Sequence, residues 1–148
     1  MRRTVPSSAA TTAALVLLLG ACAGSAEEPQ ASRPHGPEEQ RCQDVAGAAR
    51  WEGMVRAGST TTFDAHDDYF TPTCIEVPWN TPVTLVVTNF GHMPHTVTIR
   101  RTDVDTDVDA GDTAFVKVPA TTRPLQIVCT FHIDERMFAA VVPVKDGT

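Results

Sequence analysis

The sequence predicts an all-β domain, a sandwich of short antiparallel strands with one short helix ahead of it. Three observations carry this. From residue 60 onward, apolar and polar residues alternate in short runs. Pro, Gly and Asn separate the runs, as turns require. No stretch of that region keeps a helical period, and no segment repeats.

The chain opens with Arg2 and Arg3, then an apolar run over residues 13–19 that ends in small residues. This is the pattern of a secretory signal, and the run is too short to span a bilayer. The cleavage region reads Leu19-Gly20-Ala21-Cys22. It resembles the lipobox of bacterial lipoproteins, in which the Cys is acylated and becomes the first mature residue. The plainer reading is an ordinary signal peptide cut after Ala21 or slightly later. A Cys is rare at that point, which favours lipidation of Cys22. The expected order is therefore a signal peptide over 1–21 and a lipid-anchored linker over 22–41. The linker holds Ala, Gly, Ser, Pro, Glu and Gln and almost nothing apolar, so it reads as a flexible tether in which His35 is solvated. Residues 42–59 form an N-terminal extension. Within it, 44–55 offers Val45, Ala48, Ala49 and Trp51 for one face of a short helix.

The sandwich itself is assigned to residues 60–148. Val83, Leu85 and Val87 alternate with Thr84, Val86 and Thr88. His95, Val97 and Ile99 alternate with Thr96, Thr98 and Arg100. Ala114, Val116 and Val118 alternate with Phe115 and Lys117, and Leu125, Ile127 and Cys129 with Gln126 and Val128. Residues 137–144 make a closing apolar strand. Successive strand side chains point to opposite faces. His95 and Cys129 should therefore both point toward the core, each at the end of its strand.

The formal net charge is −6. Residues 1–21 carry two Arg and no acid, so their removal takes it to −8. An acidic surface argues against nucleic acid, whose phosphates need Lys and Arg. It permits steering toward a basic partner. Asp103, Asp105, Asp107, Asp109 and Asp112 form an acidic run that could supply oxygen ligands to calcium. It lacks the Gly and Glu order of an EF-hand, and no helical pattern flanks it. A solvated loop is the plainer reading, with docking to a basic partner as its functional form. His66, beside Asp67 and Asp68, reads as surface.

Four cysteines divide by context. Cys22 would carry lipid and Cys129 would bind metal. Cys42 and Cys74 remain, and outside the cytoplasm such a pair usually forms a disulfide, closing a loop of about 30 residues worth ~3 kcal/mol. The alternative is that one or both stay buried free thiols.

The segment Cys129-Thr130-Phe131-His132-Ile133-Asp134-Glu135-Arg136-Met137 carries a thiol, an imidazole and a thioether. A second imidazole, His95, lies upstream in Gly91-His92-Met93-Pro94-His95-Thr96-Val97. Two His, one Cys and a weak axial Met make up a blue-copper centre. Alone, each has a bland reading: a core thiol, a packing thioether, a solvated imidazole. Four in this order are not independent accidents.

With these segments the chain resembles the cupredoxins, the small blue-copper fold of plastocyanin and amicyanin. The matching stretches are 68–72, 83–89, 91–99, 111–114 and 129–144. The Cys-x2-His-x4-Met spacing is that of plastocyanin. The resemblance implies a Greek-key β-sandwich binding one type 1 copper ion through His95, Cys129, His132 and Met137. It implies a carrier of single electrons, not an enzyme, expected to be a monomer. A copper module for storage, delivery or resistance is the alternative. In family members the second His, here His132, passes through an apolar patch that serves as the electron port. Met93, Pro94, Phe131 and Ile133 are placed to build that patch.

Several residues depart from the family pattern. Thr96 stands where an Asn usually ties the two ligand loops together. Leu125 replaces a common Tyr and Ala139 a common Gly. Asp134, Glu135 and Arg136 fill a ligand loop that is usually apolar or glycine-rich. Its two carboxylates should favour Cu(II) and lower the potential unless Arg136 screens them. Glu135, His92 and Met93 remain alternative approaches to the metal. Multicopper enzymes need further His-rich sites, usually with His-x-His pairs; the chain has five His and no such pair. The implied setting is extracytoplasmic, on a bacterial cell membrane, with a redox protein as partner.

Overall fold

The computed structural model describes residues 36–145. The expected signal peptide, the lipidation site Cys22 and the linker up to residue 35 lie outside the described residues. Two sheets face each other. The larger has six strands in the order β1 (Met54–Arg56), β4 (Cys74–Pro78), β10 (Phe138–Val144), β9 (Leu125–Val128), β6 (His95–Ile99) and β7 (Asp105–Val108). The smaller has four, in the order β3 (Phe70–Thr71), β2 (Thr60–Ala65), β5 (Val83–Asn89) and β8 (Thr113–Val118).

The alternation read from the sequence sorts the faces. Val83, Leu85 and Val87 of β5 are buried, and Thr84 and Thr88 between them are half-buried. With Phe63, Phe70, Ile75, Val77, Val97, Ile99, Val116, Ile127 and Val141 they fill the space between the sheets. Burial of such side chains contributes about 1.5–3 kcal/mol each, and the summed term is what holds the layers together.

The strands are not all antiparallel, as the sequence had suggested. β1 with β4, β4 with β10, and β2 with β5 run parallel. Alternation has the same period in either direction, so it cannot tell them apart. The chain makes the parallel pairs by changing sheets. Between β2 and β5 it passes through β4 in the opposite sheet, which supplies the crossover that parallel neighbours need.

The helix is real but lies upstream of its expected position. α1 spans Gly36–Ala46, so residues 36–41, assigned to the linker, are helical, and 47–55 are not. The stop is Gly47, whose φ of +66° is the left-handed conformation that ends helices. Its N–H donates to the Gln43 carbonyl. Glu38 and Glu39 sit in the first turn, where carboxylates favour the helix dipole. Met54 and Val55, expected to end the helix, instead begin β1.

α1 also explains a feature of β10. Ala139 and Val141 face the main core, while Ala140 and Val142 face the other way. Those outward residues, with Cys74, pack under Cys42 and Ala46 of the helix. A strand covered on both faces reads as one continuous apolar run. Cys42 and Cys74 are joined in a disulfide, with their Cα atoms 5.6 Å apart. Gln126 adds a side-chain bond to the Val45 carbonyl at 3.0 Å. The helix is thus held by a covalent tie and a small apolar contact; its propensity contributes little.

The acidic run is an edge. Asp105 and Asp107 lie on β7, the outer strand of the six-stranded sheet, and all five Asp are exposed. Charges on an edge strand discourage pairing with another chain. Asp105 accepts a bond from Thr98 Oγ1 at 2.6 Å.

Candidate metal centre

One end of the sandwich collects the soft donors. β6 begins at His95, whose ring points inward in line with Val97 and Ile99, as parity required. β9 ends at Val128, and Cys129 follows it with its sulfur inside. A single 3-10 turn over Thr130–His132 then swings His132 back over the same point. The potential ligand atoms of His95, Cys129 and His132 all lie within 4.8 Å of one another, and all three residues are buried. Among the described residues no other cluster of three His, Cys, Asp or Glu meets that condition.

The orientation of the rings matters more than their nearness. Cys129 Sγ lies 3.3 Å from His132 Nδ1 and 3.6 Å from His95 Nδ1. Ligand bonds of about 2.0 Å to nitrogen and 2.3 Å to sulfur, at trigonal to tetrahedral angles, separate the two donors by about 3.5–3.8 Å. The donor set therefore fits one soft cation in size and chemistry. The two rings are tilted by 52° with centroids 4.9 Å apart, so they converge without stacking. A Thr96 N–H donates to the sulfur at 3.4 Å.

Met137 is fully buried in the same core as Cys129. Its backbone closes the ligand loop: Cys129 N–H donates to the Met137 carbonyl at 3.0 Å, and Met137 N–H to the His132 carbonyl at 3.1 Å. Glu135 and His92 are both exposed, outside the cluster.

The loop tie is made by hydroxyls. Thr130 N–H donates to Thr96 Oγ1 at 2.7 Å, and the two hydroxyls meet at 3.0 Å. Thr98 Oγ1 donates to Thr96 Oγ1 at 3.2 Å. The Thr that stands in place of the usual Asn thus keeps the connection with different atoms.

Asn89 is a positioning residue that the sequence reading missed. Its Nδ2 donates to the Met93 and Val108 carbonyls at 2.8 and 3.0 Å, and its Oδ1 accepts from Gly91 N–H at 2.8 Å. This pins the 90–94 loop that delivers His95. The signal was present: parity in Val83, Leu85, Val87, Asn89 puts a polar residue on the core face. Asp67 was also missed. It accepts from His92 N–H at 2.5 Å and lies 3.2 Å from His92 Nδ1.

Burial holds the His95 imidazole below its ordinary pKa, and the neighbouring His132 lowers it further, while Asp67 pulls the other way. The ring is therefore neutral at pH 7, as a metal ligand must be.

Residues 48–141 match the family model of the cupredoxin-like domain. The chain belongs to the cupredoxin-like family. No curated protein matches its sequence. The fold of this cupredoxin is similar to that of dithionite-reduced auracyanin from the photosynthetic bacterium Roseiflexus castenholzii, with a TM-score of 0.53, 11% identity, and coverage of 60% of this chain and 98% of auracyanin. It is also similar to auracyanin B, with a TM-score of 0.50, 16% identity, and coverage of 65% and 94%. A third likeness is to the metal-binding domain of the Cu(I)-exporting P-type ATPase CopA of Streptococcus pneumoniae, with a TM-score of 0.52, 9% identity, and coverage of 64% and 99%. At these identities the likeness is one of fold, and the chemistry rests on the residues above.

Apolar side chains are exposed on the loops that carry the ligands. Phe131 is 58% exposed, Met93 48% and Ile133 43%, and Pro94 is exposed beside them. Phe90, which the sequence reading left out, is 62% exposed on the same loop as Met93. His132 itself is only 6% exposed.

Proposed function

We propose that this cupredoxin is a type 1 copper protein that carries single electrons between redox partners outside the cytoplasm. The observation that carries this is the buried thiol with two imidazole Nδ1 atoms turned toward it. His95, Cys129 and His132 would hold one copper ion, and the buried Met137 thioether would be a weak further donor that helps set the potential. When bound, the ion supplies a one-electron Cu(II)/Cu(I) couple. The chain's own part is to present the donors in fixed positions. Its strands, the Thr96–Thr130 tie and the Asn89 clamp leave little to rearrange on electron transfer.

The protein would have no substrate of its own. Met93, Pro94, Phe131 and Ile133, with Phe90, would form the port through which His132 passes the electron. Asp64, Asp67, Asp68, Asp107, Asp109, Asp112, Asp134 and Glu135 lie toward the same end by strand register, with Arg136 as a cation among them. That ring suits a redox partner with a basic rim, which it would steer. We place the protein on the outer face of a bacterial cell membrane, as a monomer anchored by lipid at Cys22. The Cys42–Cys74 disulfide supports an oxidising compartment.

Copper delivery or storage is the second reading. His92 and Met93 are exposed soft donors on the loop beside the cluster, where a chelator or partner could take up the ion. The deciding experiment is the visible and electron-paramagnetic-resonance spectrum of the copper-loaded protein, followed by voltammetry. An intense blue Cu(II) form that cycles reversibly and keeps its copper against mild chelators is expected. A colourless protein that surrenders copper readily would replace the carrier reading with the delivery one.

A further inference from the structure

His95 Nε2 is fully buried and has no hydrogen-bond partner. Buried polar atoms without a partner are rare and costly, so this one marks where the surroundings of the ring do something specific. The neighbour across from it is a carboxylate. A methyl carbon placed on Gly91 would lie 3.1 Å from His95 Nε2 and 2.6 Å from Asp67 Oδ1. The ring nitrogen and the carboxylate thus both border the space that a side chain at Gly91 would fill. Two contacts from His92 hold the carboxylate: the backbone N–H bonds Oδ1, and Nδ1 lies 3.2 Å from Oδ2.

We propose that Asp67 is a positioning residue of the metal centre, its charge holding the neutral His95 ring with the proton on Nε2 and the Nδ1 lone pair free toward Cys129. This deepens the metal reading and rests on it for its functional meaning. The physics is that of a carboxylate behind a histidine ligand. It selects the tautomer, fixes the ring and makes the metal-facing nitrogen more basic. Gly91 is required because any Cβ there would press on both partners and on the Asp67 backbone nitrogen, 3.0 Å away. Asp67 reaches this point from the β2–β3 turn, which is closed by the His66 N–H bond to the Tyr69 carbonyl at 2.9 Å. A loop from the four-stranded sheet therefore sets the state of a ligand that belongs to the six-stranded one.

The test reads the ring directly, without copper. Long-range 1H–15N spectra of the metal-free full chain at pH 7.5 report which nitrogen of His95 carries the proton. The wild type should show one Nε2–H tautomer. In Asp67→Ala the two nitrogen shifts should converge as the tautomers mix, and Asp67→Asn, which keeps shape and one acceptor, should fall between. Identical His95 shifts in all three proteins would overturn the proposal. If Asp67→Ala does not fold, the near-isosteric Asp67→Asn still decides it, because it removes the charge and one acceptor while keeping the shape. In the copper-loaded protein the reduction potential should rise in both variants, since a negative charge that favours Cu(II) is gone. A colourless loaded protein with a tautomer shift would sink the electron-carrier reading and leave this one standing. A blue protein with unchanged His95 shifts would do the reverse.

Discussion

Replacing Thr96 by Val removes one oxygen and almost no volume. Thr96 Oγ1 is the hub of the tie between the two ligand loops: it accepts from Thr130 N–H at 2.7 Å and meets Thr130 Oγ1 at 3.0 Å. The third contact, from Thr98, is the cheapest to lose, because the single Thr98 hydroxyl proton is shared with the shorter bond to Asp105 at 2.6 Å. Two bonds to neutral groups at about 0.5–1.5 kcal/mol each give a loss of about 1–3 kcal/mol. Thr130 is exposed, so water can satisfy its freed N–H, which places the loss toward the lower end, about 1.5 kcal/mol. For a domain of this size that corresponds to a Tm fall of about 5–10 °C.

Urea denaturation of the metal-free protein measures the loss. A double-mutant cycle with Thr130→Val isolates the pair, with an expected coupling of about 0.5–1 kcal/mol. Thr98→Val is the control and should cost less than Thr96→Val. In the copper-loaded Thr96→Val protein the Cys129 loop loses its link to the His95 loop, so the visible and paramagnetic spectra should change as well. A Thr96→Val protein as stable as the wild type, with no coupling to Thr130, would refute the tie.

Replacing both Cys42 and Cys74 by Ala opens a loop with a sequence separation of 32 and should cost about 3–4 kcal/mol in denaturant unfolding, an effect that reductant reproduces on the wild type. Phe131→Lys and Met93→Lys should slow electron transfer to a natural partner, whereas the same change at Phe115, exposed on β8, should not; equal rates in all three would move the port elsewhere. The His95 pKa is depressed in the fold from 6.5, so as pH falls below 6.5 the unfolded chain takes a proton that the folded one refuses. Stability of the metal-free protein should therefore be full above that pH and decline below it, and His95→Gln should flatten the slope in denaturation midpoints taken between pH 7.5 and 5.

Parity carried most of what was legible in the sequence. It placed His95 with Val97 and Ile99, and Cys129 with Ile127, on the inner face, and that is where their side chains are. What it could not carry was direction and partnership. β4 pairs with β1 and β10 in parallel, yet nothing local in Cys74–Pro78 distinguishes that from an antiparallel strand. The helix was misplaced for a related reason. Its reading relied on Trp51 as a face residue, but Gly47 ends the helix before Trp51 is reached. Trp51 instead packs partly buried against the cluster below the helix. Asp67 left no trace at all, because its role depends on a side chain that Gly91 lacks.

The ligand loop also shows why so short a segment can serve as a rigid donor set. Besides the two bonds that tie Met137 to Cys129 and His132, His132 N–H donates to the Cys129 carbonyl at 3.3 Å and Arg136 N–H to the Ile133 carbonyl at 3.0 Å. These backbone bonds close the loop on itself at both ends and in the middle. Arg136, at a φ of +60°, supplies the reversal that lets Met137 turn back beneath the turn carrying His132. The loop's shape is thus supported by its own backbone bonds. The charged side chains Asp134, Glu135 and Arg136 can then all point to solvent, which explains how a segment this polar replaces an apolar one. The cost is electrostatic: the carboxylates remain near the centre even though none joins the cluster. That separation of roles, backbone for geometry and side chains for field, would let the potential of a bound ion be adjusted at Asp134 and Glu135 without disturbing the donors.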